Sequence, residues 1–342
     1  MSPFKIFISC LSLIFTLTDL YGGDPDRIGT AGGVQVLVPV GGRLLAMAGS
    51  DAAGVQGLEA IYWNPAGLAS LPNRAAGLFS TMNILSDVRV QYIALGVQAS
   101  SFGCLGFSLK AFDFGDIPVT TIEDMEGESG QTYSPTFVTG TVSYSRKLTD
   151  VIQVGVNGKL IYESIPRASA TALAFDAGLQ YHGFVHIEGL SLGLVVKDIG
   201  SNLQYSGTGL SKKATETELG YEDFRYRETA SDQLPSTIEL GISYQRTFST
   251  MNQVVVSGTF QNKNFDSDNW KVGAEYSYNN FVSLRSGYLY TQDTNRDDLL
   301  YTFSAGFGIH TMVGGTDLTF DYAFRNSKYF NGNNLFSLMI GF

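Results

Sequence analysis

Few side chains in this sequence are of a type and spacing that could carry out a reaction. His182 and His186 stand four apart in HGFVH, a spacing that could hold a metal ion, but no carboxylate or thiol cluster completes a ligand set. The glycine-rich runs GTAGG (29–33) and GGTDLTFDYAF (314–324) do not join a strand to a helix, as a phosphate-cradling loop must. No Ser-His-Asp or Cys-His arrangement is visible. Catalytic, metal and cofactor chemistry are therefore not expected. What remains is a set of scattered charges: Lys110, Asp176, Lys197, Glu239, Glu275, Arg285 and Asp321, together with Arg43, alone in an apolar N-terminal stretch.

The elements that carry these charges have period two. In IQVGVNGKLIYE (152–163), Ile152, Val154, Val156, Leu160 and Tyr162 share one face, and Gln153, Asn157, Lys159 and Glu163 the other. TIELGISYQ (237–245), WKVGAEYSY (270–278) and DLTFDYAF (317–324) alternate in the same way. About fourteen such segments fall near 75–82, 88–100, 103–114, 136–147, 152–163, 170–182, 189–198, 236–247, 253–262, 269–278, 282–290, 300–310, 316–325 and 335–342. Every second connection is short, such as Ser101-Phe102, and two of the others, 115–135 and 199–235, are very long. An up-and-down barrel in an outer membrane sorts its connections this way, with short periplasmic turns and long outside loops. A soluble sandwich has no reason to.

The fold class expected is therefore all-β, a transmembrane antiparallel up-and-down β-barrel of about 14 strands with an N-terminal helical or loop plug. About ten residues at roughly 3.3 Å each, tilted near 40°, cover the apolar band of about 25 Å. Closure also removes the open edges that lipid could not satisfy. Tyr144, Tyr162, Tyr181, Tyr244, Tyr278 and Tyr290, near strand ends, suit interfacial girdles. The polar faces then line a wet lumen, where any single charge is either simply solvated or anchors something inside.

Composition agrees. Charged residues make up 16% against about a quarter in a soluble domain, aromatics are 13%, and a net charge of −10 argues against nucleic acid as a partner. Acidic residues gather at 120–130 and 212–232, which read as solvated loops. The segment 1–22 has one cation, Lys5, before an apolar run over 6–17, and reads as a secretory signal peptide cleaved near Gly22. Its loss leaves Cys104 with no partner for a disulfide.

Residues 23–74 precede the first strand and are the only sizeable segment available to fill a lumen too wide for side chains alone. They are rich in Ala, Gly and Leu, and Asn64 ahead of Pro65 would cap a helical turn. The domains are thus 1–22, 23–74 as plug and 75–342 as barrel. Arg43 in that plug would cost several kcal/mol unless paired, so it is expected to meet a carboxylate on the wall or in the plug.

The run VLVPVGGRLLAMAGSDAAGVQGLEAIYWNPAGLASLP (36–72) resembles the N-terminal signature of the PorV/PorQ family, with Arg43, Met47, Tyr62, Trp63, Asn64, Pro65, Ala66, Gly67 and Leu68 matching it. Ala48 departs where that family has Gly, and Gly49 follows. Weaker echoes are LVVKDIG (194–200), LPSTIELGISY (234–244) and LRSGYLY (284–290). The chain is also similar to the broader class of FadL-type fatty-acid channels, fourteen-stranded barrels whose hatch carries a similar Asn-Pro-Ala. The terminal NLFSLMIGF, with Phe336, Leu338, Ile340 and Phe342 on one face, resembles the signal read by the outer-membrane assembly machinery.

The first resemblance implies a plugged outer-membrane barrel that serves type IX secretion, with a translocon or exported cargo as partner and a role in cargo attachment at the cell surface. The second implies a channel for hydrophobic small molecules such as long-chain fatty acids. A structural barrel with adhesive loops is a third reading. The secretion reading is preferred here, and a pocket between plug and wall would favour the channel.

Overall fold

The computed structural model describes residues 25–85, 88–215, 222–291, 299–329 and 331–342. The expected signal segment, 1–22, and part of the second acidic stretch lie outside the described residues. Fourteen strands close into one antiparallel barrel in chain order. They are β1 (Ala75–Leu85), β2 (Val88–Gln98), β3 (Cys104–Asp113), β4 (Thr136–Lys147), β5 (Ile152–Ile165), β6 (Ala168–His182) and β7 (Leu190–Gly200). The second half is β8 (Thr237–Ser249), β9 (Asn252–Lys263), β10 (Asn269–Tyr278), β11 (Val282–Thr291), β12 (Phe303–Val313), β13 (Thr316–Arg325) and β14 (Asn333–Gly341). Closure is made by β1 and β14, paired from Ala76↔Gly341 to Asn83↔Asn334.

The period-two pattern produces a barrel that is inside-out relative to a soluble one. In β5, Val156 and Leu160 are about half exposed on the outside, at 51% and 50%, while Asn157 and Lys159 are buried inside. Phe79, Leu95, Phe107, Phe175, Leu240 and Phe336 continue the outer apolar surface. Water would penalise such a surface, and a lipid annulus would not.

One strand is displaced from its expected place. The segment near 300–310 forms β12 at Phe303–Val313, because the hairpin to β13 turns on Gly314 and Gly315 alone. Both have positive φ, 60° and 85°, as a two-residue turn between twisted strands demands. Residues 299–302 are thereby released to line the lumen. The girdle expectation also changes at Tyr244, which is 6% exposed: the 183–189 connection packs Phe184 and Ile187 onto Leu190, Ile242 and Tyr244. Tyr162, Tyr278 and Tyr290 do face outward.

The long connections are more ordered than plain loops. Ile117–Pro118 pairs with Thr132–Tyr133, Leu203–Gln204 with Ser231–Asp232, and Ser211–Thr215 with Glu222–Tyr226. In 120–130, the Asp124 carboxylate accepts the Glu128 and Ser129 N–H groups at 2.9 and 2.8 Å.

Among the described residues ahead of β1 the chain makes only short helical turns. These are Pro25–Arg27, Val34–Leu37, α1 (Gly42–Ala46), Gly57–Glu59, α2 (Ala60–Trp63) and Pro65–Ser70. None could bury a face alone, since isolated short helices are unstable. Their core is the barrel wall: Leu58, Ile61, Leu68 and Leu71 pack with Leu78, Tyr92 and Ala94, and Leu45 and Ala46 with Met82, Ala323 and Leu335.

Candidate binding site between plug and wall

The plug is seated by a belt of inward-facing glycines, one from each of nine strands. A Cβ on Gly178 would fall 2.0 Å from Asn64 Oδ1, on Gly155 2.3 Å from the Pro65 carbonyl, and on Gly287 2.2 Å from the Met47 carbonyl carbon. Gly96, Gly106, Gly193, Gly241, Gly273 and Gly306 meet plug atoms in the same manner. Gly155, Gly193, Gly241, Gly273 and Gly287 let plug backbone lie directly against the sheet, and Gly96, Gly106, Gly178 and Gly306 make room for plug side chains.

The matching plug residues are those of the N-terminal motif. Asn64 is fully buried; its Oδ1 accepts the Ala66 N–H, and its Nδ2 donates to Ala52 O (2.8 Å) and to Leu179 O on β6 (3.3 Å). Pro65 starts the next helical turn, where a missing N–H costs nothing. Ser145 donates to Ala66 O, Leu68 fits over Gly96 and Gly106, and Gly67 lies so close to Val55 O that a Cβ would be 2.0 Å away. Met47 is buried against Gly273 and Gly287. Tyr62 and Trp63 pack edge to face, centroids 5.0 Å apart, and donate to Leu37 O and Val40 O.

On the short-turn side of the belt the contacts are ionic. Arg43 reaches Asp51 in the plug and Glu275 on β10, both at 3.0 Å, so it meets a carboxylate in each place considered for it. Glu275 also binds Arg285, which binds Asp321, giving a ladder across β10, β11 and β13. The Glu59 carboxylate accepts the N–H groups of Arg43 and Leu44 at the start of α1 (3.1 and 3.2 Å). The plug lies outside the spanning strands, and burial raises its acids. Asp51 moves upward despite Arg43, and burial, reinforced by Asp321, pushes Glu59 up to about 7.

On the long-loop side the groups are different. The ladder between β6 and β7 shifts register beside Asp176, where Asp198 takes a positive φ of 60°. This bulge turns both Lys197 and Asp198 inward, and both are buried. Lys159 binds Asp176 (2.8 Å) and Asp198 (2.7 Å). Glu239 is shared by Lys197 (2.9 Å) and Lys271 (3.6 Å). Lys110 donates to the plug carbonyls of Val36 and Val38. The ammonium groups of Lys110 and Lys197 stand over the Tyr62 ring, and those of Lys197 and Lys271 over Trp63.

Between these groups lies a cavity of about 650 Å³, a volume suited to a small organic ligand. Tyr62 and Trp63 line it from the plug, with Val36, Leu37, Val38 and Pro39. The wall contributes Lys197, Glu239, Lys271, Leu289 and Ser304, each on the long-loop side of the belt glycine in its own strand. The belt is thus the floor. Leu299, Leu300 and Tyr301 close in from the β11–β12 connection, and Arg325 stacks on Tyr301 at 3.6 Å.

Other groups singled out in the sequence lie elsewhere. Phe336, Leu338 and Phe342 are exposed on the outer face or end of β14, with Ile340 partly covered. His182 Nδ1 lies 2.9 Å from Ser191 Oγ near the short-turn rim. Asp51, Glu59, Asp198 and the glycine belt were not anticipated. Two signals were present: a charge pair, Lys197-Asp198, that breaks the alternation, and a glycine recurring on the inward face of strand after strand.

No protein-family model matches the chain, and no curated protein sequence does. Solved structures do resemble it in shape. The CymD monoaromatic hydrocarbon channel shares 14% identity with a TM-score of 0.54, over 89% of this chain and 97% of that one. The Pseudomonas putida toluene transporter TodX shares 12%, TM-score 0.53, over 88% and 97%. A Pseudomonas aeruginosa FadL homologue shares 14%, TM-score 0.51, over 94% and 99%. At these identities the likeness is one of fold: the closed fourteen-stranded barrel of FadL-like outer-membrane proteins.

Proposed function

We propose that this protein is an outer-membrane channel through which hydrophobic small molecules enter, binding in the cavity above the glycine belt and passing on when the plug shifts. The observation that carries this reading is the 650 Å³ cavity, bounded on the plug side by Tyr62, Trp63 and the 36–39 segment and on the wall by residues of the long-loop side. The exposed apolar outer face supports residence in a bilayer. The similarity in fold to a toluene transporter and a monoaromatic hydrocarbon channel supports the ligand class. The exposed apolar side chains of β14 keep recognition by the outer-membrane assembly machinery as part of the proposal.

The finer PorV/PorQ assignment, with a translocon or exported cargo as partner, rests on the N-terminal motif. In the structure that motif serves plug seating, a task any plugged barrel shares. Deletion of the gene separates the two readings. Cells lacking the protein are expected to take up radiolabelled toluene or a long-chain fatty acid more slowly, with rescue by the wild type and not by Trp63→Arg, which fills the cavity with charge. Unchanged uptake of both probes, together with loss of exported proteins from the cell surface, would replace the channel with the secretion reading.

A further inference from the structure

A second, smaller cavity lies between the plug and β2 to β5, on the other side of Val36 and Tyr62 from the ligand cavity. It measures about 20 Å³, room for roughly one water-sized sphere. Its lining is unusual in sign. Lys110 and Lys159 contribute ammonium groups, Tyr92, Ser108, Thr139 and Thr141 contribute hydroxyls, Val36, Ile61 and Tyr62 complete it, and no carboxylate lines it.

The donors there are under-used. Lys110 Nζ donates to two carbonyls, Val36 O and Val38 O, and Lys159 Nζ to two carboxylates, Asp176 and Asp198. An ammonium has three N–H groups, so each keeps one. Thr139 Oγ1 is buried without a hydrogen-bond partner, and the Tyr92 hydroxyl is paired with Ser108; Thr139 and Tyr92 are 5% and 2% exposed. Among the described residues Lys110 has no carboxylate within ion-pair distance. Both carboxylates bonded to Lys159 are already committed to it. Among the described residues the ion pairs of Lys159, Lys197 and Lys271 take up Asp176, Asp198 and Glu239, which leaves Lys110 with no carboxylate of its own. A buried ammonium without a counter-charge is costly, and three unused donors around an atom-sized hole suit a monatomic anion.

We infer that this cavity is a binding site for a monatomic halide, chloride in the cell, which supplies the missing charge and bridges Lys110 on β3 and Lys159 on β5 beneath the plug residues Val36 and Ile61. Its size, room for a single small ion, separates it from the ligand cavity, with which it shares Val36 and Tyr62 as walls.

The test uses the full-length protein in detergent. Crystals soaked in sodium bromide and measured at the bromine absorption edge are expected to show an anomalous peak in this cavity, within hydrogen-bond reach of Lys110 or Lys159. A cavity holding only water in the wild type would overturn the proposal. Thermal melting gives a second readout: at equal sodium concentration the midpoint should be higher in chloride than in gluconate, an anion too large to enter. Thr139→Val keeps the shape and removes one donor, so that difference should shrink. Lys110→Met should abolish it, and if that variant fails to assemble, Thr139→Val carries the comparison alone. An equal chloride effect in wild type and Thr139→Val would assign it to surface screening and reject the site.

Discussion

The two sides of the glycine belt hold the same plug by opposite means. Below it, toward the short turns, contact is close and acid-rich: Arg43 and Arg285 face Asp51, Glu59, Glu275 and Asp321. Above it, toward the long loops, the wall stands off, ammonium groups predominate and a 650 Å³ cavity opens. The boundary falls within single strands. Gly273 separates Lys271 from Glu275 on β10, and Gly287 separates Leu289 from Arg285 on β11. On these strands sealing and binding groups are thus separated by three residues, because the inward side chains of a strand succeed one another every second position and a belt glycine takes the place between them.

The comparison breaks most completely if the belt is filled. Gly155→Leu and Gly287→Leu place side chains where plug backbone lies, 2.3 and 2.2 Å from a first added carbon. Nothing flexible is available to give way, so the plug is expected to leave the bore, and single-channel recordings in planar bilayers should show a steady open conductance. Gly140→Leu is the control, since a Cβ there meets nothing within 4 Å. Closed channels in both belt variants would mean that the lumen is sealed by something other than the belt. The next effect belongs to the ladder. Arg43→Met leaves Asp51 buried without its cation, whereas Glu275 retains Arg285. Arg43 is about a quarter exposed, so the loss is expected at about 3 kcal/mol, the low end of the range for a broken buried pair. Heat-modifiability on gels should fall accordingly, and Arg43→Met with Asp51→Asn should recover part of it.

What the sequence made legible follows the same boundary. Strand number, the inward direction of Glu275 and Arg285, and the need of Arg43 for a carboxylate all come from period two and the cost of burying charge. The belt was harder to see. Gly155, Gly193 and Gly273 look like ordinary strand glycines until strand tilt and stagger line them up, and those are properties of the closed cylinder. The cavity was hidden for a related reason: Tyr62 and Trp63 are adjacent in the chain, and only the path of 36–40 over them, through Leu37 O and Val40 O, turns them into a wall. The bulge at Asp198 was available in principle. Strict alternation after Lys197 would have pointed a carboxylate into lipid, which the fold avoids by adding one residue to β7.

A gentler change sharpens the contrast from above. Glu239 is 1% exposed and is the carboxylate shared by Lys197 and Lys271. Glu239→Gln leaves two ammonium groups at the cavity wall with no counter-charge. Affinity for an anionic amphiphile such as a fatty acid is then expected to rise by about tenfold, about 1.4 kcal/mol, with a neutral hydrocarbon unaffected. Titration of the purified protein, followed by Trp63 fluorescence in a Trp270→Phe background, measures both. Equal changes for the two probes would show that the lysines do not meet the ligand.

The smallest effect lies below the belt and is read through pH. The Glu59 carboxylate is held by two N–H groups of α1, which favour its charged form, yet burial and the nearby Asp321 outweigh them and raise its pKa from 4.5 to about 7. The folded state therefore binds a proton that the unfolded state has already released. Between pH of about 4.5 and about 7 stability must fall as pH rises, and above that it levels off, because proton uptake on folding opposes folding in base. Glu59→Gln loses one of the two hydrogen bonds at every pH, so the midpoints themselves do not discriminate; their slopes do. From pH 5 to 8 the melting temperature in detergent should drop more steeply for the wild type than for Glu59→Gln. Asp321→Asn, which removes the neighbouring charge and keeps the carboxyl, should lie between them. Parallel curves for all three would mean that Glu59 is already ionised at pH 5 and that α1 is capped by a full negative charge throughout.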